Sequence, residues 1–188
     1  MTDYPKPIVV VSKCLGFDKC RWNGGTIPNK FIEHMEDYVE FITVCPEMEI
    51  GLGAPRKQIG LVIQNKEVRL IQHETLEDVT DKMVKFTNNF LDSLGKVDGF
   101  ILKEKSPSCG MTGVKVYPRT GKVAPVRKDP GFFGGEVINR FGHLAIENEG
   151  RLNNFRLREH FLTVLFTIAR FRKIKENKTM NNLVKFHS

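Results

Sequence analysis

The residues best suited to chemistry in this chain are its cysteines. Three of the four fall at or just past the ends of predicted β-strands, and none belongs to a Cys-x-x-Cys pair. Cys14 closes the apolar run Ile8-Val9-Val10-Val11, and Cys45 closes Phe41-Ile42-Thr43-Val44. Cys109 follows Phe100-Ile101-Leu102 and lies in the tight segment Ser106-Pro107-Ser108-Cys109-Gly110. In an open α/β sheet the carboxyl ends of parallel strands converge on one crevice, where ligands bind. Thiols delivered there from distant positions predict a site built by the fold, and three thiolates suit a metal or cluster with one coordination position free. The spacing matches neither the close pairs of zinc ribbons and fingers nor ferredoxin-type runs. Zinc, an iron–sulfur cluster and a thiol nucleophile all stay open, and soft thiolates with no histidine nearby favour a cluster or a Cys-rich zinc site. The five histidines, His34, His73, His143, His160 and His187, lie outside the strand-end motifs and read as surface or packing residues.

These thiols need strands to carry them. Ile8–Ser12, Phe41–Val44 and Gly99–Lys103 are short, apolar and continuous, the pattern of strands buried on both faces. Ile59–Gln64 and Val68–Gln72 flank Asn65-Lys66-Glu67 and predict a hairpin. Val114–Tyr117 reads as a further short strand. Helices are predicted over Asn29–Val39, over Asp78–Leu94 with Asp78 or Thr80 as cap and Gly95 as stop, and over Gly131–Arg140. The alternation predicts an α/β fold, a mainly parallel sheet flanked by helices with the cysteine site at the strands' carboxyl ends. After Gly150 the character changes. Leu157–Lys175 reads as an amphipathic helix with a basic outer face, followed by a linker at Lys175–Thr179 and by Asn181–Ser188, which opens something unfinished. The expected division is therefore a catalytic unit over 1–150 and a helical extension over 151–188.

At 188 residues the chain is long enough for one domain with a sizeable core plus an appendage. No run approaches a membrane span, so no membrane partner is expected. The N-terminus lacks the basic and apolar stretches of a secretion signal. A reducing cytoplasm is the expected location, where cysteines bind metals or react more often than they form bridges. A net charge of +7, much of it between Arg151 and Lys178, fits a polyanionic partner such as RNA and fits equally a solvated helix face.

Three motifs resemble the thiouracil desulfidase (TudS-like) family. They are Val11-Ser12-Lys13-Cys14-Leu15-Gly16 with Cys20-Arg21-Trp22-Asn23-Gly24, then Val44-Cys45-Pro46-Glu47 with Gly51-Leu52-Gly53-Ala54-Pro55-Arg56. The third is Asp98–Lys103 with Ser106-Pro107-Ser108-Cys109-Gly110. The resemblance covers about residues 7–118. Glu149–Asn153 and Leu157–Phe161 resemble the connector of longer relatives linked to desulfuration of thiouridine in tRNA, and Asn182–Ser188 resembles the opening of their second domain. The resemblance implies a [4Fe–4S] cluster held by Cys14, Cys45 and Cys109 with one open iron. It leaves Cys20 as a non-ligand lining the pocket. Trp22-Asn23 stands where Tyr-Asp is commoner in the family.

The implied reaction is a non-redox desulfuration of thiouracil or thiouridine, free or in tRNA. Sulfur is a soft donor, so a thiocarbonyl can seek an unsaturated iron. Glu47, two residues after Cys45, is the candidate base for the attacking water. Ser106 is assigned a substrate contact and Ser108 a turn role, with Lys103, Lys105, Arg21 and Arg56 available to offset negative charge. The basic C-terminal region is the implied tRNA contact. The rival readings are a metal-stabilised RNA-binding module without catalysis, and a thiol-based sulfur carrier using Cys20 or Cys109.

Overall fold

A computed structural model of the chain describes residues 5–176 and 179. Two four-stranded sheets organise them. The first has the order β2-β1-β5-β8 and is parallel throughout, with β1 at Ile8–Ser12, β2 at Glu40–Val44, β5 at Gly99–Leu102 and β8 at Ala145–Asn148. The second has the order β4-β3-β6-β7, with β3 at Ile59–Gln64, β4 at Glu67–Gln72, β6 at Val114–Tyr117 and β7 at Arg127–Asp129. In it β3 pairs antiparallel with β4 and parallel with β6, and β6 pairs antiparallel with β7.

The central strands β1 and β5 are buried on both faces, which explains their unbroken apolar runs. Val9, Val11 and Ile101 enter one core with Ile32, Phe161 and Leu165, whereas Val10, Phe100 and Leu102 enter another with Leu91, Phe133 and Val137. Successive side chains point to opposite faces of a strand, so one strand feeds two cores. Leu61, Leu70, Met83, Val114 and Val116 form a third core on the second sheet.

The helices follow their end signals. Asn29 accepts the N–H groups of Phe31 and Ile32 and starts α1 (Lys30–Met35), which stops four residues short of the expected Val39. In α3 (Thr80–Ser93) Asp78 accepts the Thr80 N–H at 2.9 Å, while the Thr80 hydroxyl accepts from Leu70 N and ties the helix to β4. The four-residue α2 (Pro46–Glu49) follows β2, and α4 (Phe132–Phe141) packs on α3.

The last helix among the described residues, α5 (Phe155–Glu176), starts two residues before Leu157 and continues past the start of the expected linker. Its Phe161 and Leu165 are buried against the first sheet, and Arg172 makes an ion pair with the fully buried Asp98 at the head of β5. The Asn181–Ser188 segment lies outside the described residues. Among the described residues no helix is long and apolar enough to cross a membrane.

Candidate active site

The first sheet positions the thiols. Ser12 and Val44 are register partners at the ends of β1 and β2, so Cys14 and Cys45 leave neighbouring strands side by side. Cys45 is also the residue from which α2 starts, which puts Glu47 in the first turn of that helix, two residues on. Cys109 arrives on the turn after β5. The Ser106 hydroxyl accepts the N–H groups of Ser108 and Cys109 at 3.2 and 3.1 Å, and the Phe133 and Gly134 N–H groups at the start of α4 donate to the Ser108 carbonyl. The turn and helix touch backbone to backbone: a Cβ at Gly134 would stand 2.4 Å from the Cys109 carbonyl oxygen.

Cys14, Cys20, Cys45 and Cys109 all line one cavity of about 510 Å³, together with Ser12, Glu47, Arg56, Lys103 and Ser106. Cys20, Cys45 and Cys109 are buried, and Cys14 is half-buried. The Cys45 thiol donates to the Cys20 carbonyl at 3.8 Å. The Cys14 contact, with burial adding to it, pushes the Cys20 thiol up to about 11. The neighbouring Cys20 thiol and burial raise Cys45 well above the usual thiol range, and burial raises Cys109.

Glu47 is held from two sides. Arg56 Nε and Nη2 donate to its Oε2 at 2.9 and 2.6 Å. The Ser108 hydroxyl donates to Oε1 at 3.0 Å, with the Ser106 hydroxyl at 3.4 Å from the same oxygen. Ser106 is therefore the residue whose hydroxyl closes the turn, while it also lines the cavity; Ser108 is fully buried and orients the carboxylate. Arg56 Nη1 reaches the carbonyls of Cys20 and Gly53 at 2.9 and 2.6 Å. One guanidinium thus joins the carboxylate to the Cys20 loop. Lys103 is paired with Glu149, and Lys105 with Glu104, so both cations carry compensating charges.

The donor set is soft throughout and faces open space. Among the described residues no three His, Cys, Asp or Glu side chains gather closely enough to hold one metal ion. A tetrahedral zinc, with bonds of about 2.3 Å to sulfur, requires such a gathering. Thiols spread around a cavity fit an iron–sulfur cluster, which is larger than an ion and takes cysteine ligands on separate irons.

A family model described as 2-thiouracil desulfurase matches residues 9–149, a span holding all four cysteines, Glu47, Arg56, Ser106 and Ser108. The chain belongs to the 2-thiouracil desulfurase family. An uncharacterized protein of Bacillus subtilis (strain 168), YbbK, is 29% identical over 111 residues, covering 55% of this chain and 73% of the relative. The solved structure of a [4Fe–4S]-dependent thiouracil desulfidase, TudS, matches 82% of this chain and 99% of its own with a TM-score of 0.58 at 24% identity. That likeness establishes the shared fold.

Two members of the site carried no distinct signal in the sequence. Ser12, buried at the end of β1, accepts the Lys103 N–H at 2.9 Å and couples the ends of β1 and β5. Arg56 stood among four interchangeable cations, and only the folded loop shows that it is the one bound to Glu47. A Pro-Arg pair following a Gly-rich loop is the faint sequence signal for it.

Proposed function

We propose that this protein hydrolyses the carbon–sulfur bond of a thiolated pyrimidine, thiouracil or thiouridine: C=S plus water gives C=O plus hydrogen sulfide. The observation that carries this reading is one cavity shared by four thiols and a doubly anchored carboxylate, in a chain of the 2-thiouracil desulfurase family. Cys14, Cys45 and Cys109 are the proposed holders of a [4Fe–4S] cluster with one open iron, and the description of the structural neighbour as [4Fe–4S]-dependent supports that choice. When bound, the cluster would supply a soft Lewis acid for the thiocarbonyl sulfur.

The chain's own residues do the rest. Glu47 Oε1 is the proton acceptor for the attacking water and returns that proton to the departing sulfur. Arg56 keeps Oε2 occupied, so the carboxylate presents one oxygen in one orientation. The Ser106 hydroxyl, on the cavity wall, is placed to hold the water or the pyrimidine. The half-open cavity admits the base while its buried thiols stay away from bulk solvent. The reaction is proposed to run in the reducing cytoplasm, on free base or nucleoside or on tRNA brought in by the basic face of α5.

The test is anaerobic reconstitution with iron and sulfide, then incubation with 4-thiouracil and no reductant. Loss of thiocarbonyl absorbance with matching sulfide release is expected, and Cys14→Ala is expected to abolish both. A sulfur carrier using Cys20 or Cys109 retains activity in Cys14→Ala, and a binding module releases no sulfide from either protein.

A further inference from the structure

A second cavity, of about 700 Å³, adjoins the one that holds the thiols. Trp22, Arg56 and Gln58 line both and divide them, whereas Lys57, His73 and Glu74 belong to the second alone. Trp22 is the one tryptophan of the chain, and it is 43% exposed. Its loop is held in place by backbone bonds: Arg56 N–H donates to the Trp22 carbonyl at 2.7 Å, and Gly24 N–H donates to the Arg21 carbonyl at 2.9 Å. A large apolar ring is thus left uncovered on a fixed loop. His73 brings a second ring from the end of β4. It lies on Gly60, where a Cβ would come within 2.4 Å of its Nε2, and it meets Tyr117 edge to face at 6.3 Å. Lys57 pairs with Glu74 at 2.5 Å, both side chains being more than half exposed. Exposed pairs are weakly held, so the Lys57 ammonium can turn to a phosphate. Arg56 cannot, because Glu47 and two carbonyls already engage its guanidinium. Ring faces beside a free-swinging cation are what single-stranded nucleic acid binds to.

Resting on the desulfidase reading, we propose that the second cavity binds the nucleobase next to the reacting one, with Trp22 as its stacking platform. The preferred substrate is then a thiolated pyrimidine carried in single-stranded RNA. A free base occupies the first cavity only. A base joined to a sugar and phosphate sends its chain past the divide at Trp22 and Gln58, where Lys57 meets the phosphate and the neighbouring base meets the indole. Every base has a π-face, so stacking of this kind tolerates any neighbour. The subsite therefore reads the presence of a flanking nucleotide and not its sequence.

Two measurements on the full chain test this. In the first, the lone tryptophan reports binding directly, before any cluster is loaded. Unmodified uridine trinucleotide is expected to quench its fluorescence saturably, at concentrations where uridine monophosphate does not. In the second, kcat and KM are compared for 4-thiouridine monophosphate and for a trinucleotide with 4-thiouridine at its centre. The proteins are anaerobically reconstituted wild type, Trp22→Ala and Trp22→Phe. In wild type, kcat/KM is expected to favour the trinucleotide by about 5- to 100-fold, the worth of one stacked base. Trp22→Ala is expected to lose most of that ratio, chiefly through KM, and Trp22→Phe, which keeps a ring, to retain most of it. Taking the ratio cancels any effect of either substitution on the reacting base itself. Absence of quenching, equal kcat/KM for the two substrates in wild type, or an unchanged ratio in Trp22→Ala overturns the subsite and leaves the desulfidase reading standing. Failure of wild type to release sulfide from 4-thiouracil, the monophosphate and the trinucleotide alike overturns that reading and this proposal with it.

Discussion

Replacing Arg56 separates the stability of this site from its chemistry. The Arg56 side chain is 4% exposed and that of Glu47 is 13% exposed, with 2.6 Å between Nη2 and Oε2. Arg56→Met leaves a nearly buried carboxylate with only its serine partners and removes the donor from the Cys20 and Gly53 carbonyls. Removing one partner of a buried ion pair costs about 3–5 kcal/mol. The serine hydrogen bonds to Oε1 keep Glu47 partly satisfied, so the lower end, about 3 kcal/mol, applies. For a chain of this length that corresponds to a Tm lowered by about 6–12 °C. A carboxylate free to swing by about 1 Å is expected to lose roughly a hundredfold in turnover. Adding Glu47→Gln removes the stranded charge, so the double variant is expected to recover most of the lost Tm and none of the activity. Thermal melts and 4-thiouracil turnover on the four proteins of the cycle measure both quantities. Unchanged melting and turnover in Arg56→Met would refute the role given to this pair. Equal losses in the single and double variants would refute the claim that a stranded charge causes the instability.

Other expectations follow from single contacts. Glu47→Gln alone is expected to lower desulfidation by about a hundredfold to ten-thousandfold while iron content, measured per chain, stays constant. Gly134→Ala drives a methyl group against the Cys109 carbonyl. It is expected to cost about 1–3 kcal/mol by overpacking and to reduce cluster loading, read by melting and visible absorbance. The neighbouring Cys20 thiol and burial at Cys45, and burial at Cys109, favour the protonated thiols. Ligand binding expels those protons, so reconstitution yield is expected to rise as pH rises above neutrality and to fall below it; equal yields across that range contradict the linkage.

The strands that carry the site were readable because burial on both faces leaves a chemical trace. Ile8–Ser12 and Phe100–Leu102 have no polar alternation to confuse with a helix, and the cysteines after them mark the strand ends. The second sheet shows why the rest was hidden. Its hairpin announced itself through Asn65-Lys66, but β7 is Arg127-Lys128-Asp129, a polar edge whose pairing with Val114–Val116 supplies all its strand character. Likewise β8 reads Ala-Ile-Glu-Asn, too short and mixed for a period to emerge, and becomes a strand only beside β5. Within the site, sequence order identifies which residues leave strand ends but not which side chains meet. The choice of Arg56 over Arg21 or Lys105 as the partner of Glu47 depends on loop paths between residues 13 and 56, whereas the family resemblance already put Cys20 on the pocket wall, where the structure has it. No periodicity describes those paths.

The most direct test is turnover of 4-thiouracil by the anaerobically reconstituted protein in 18O-labelled water without reductant. Sulfide and uracil are expected in equal amounts, with the label in the new carbonyl oxygen. Uracil lacking the label, or sulfide appearing only after a reductant is added, would contradict hydrolysis at a site built from Cys14, Cys45, Cys109 and Glu47.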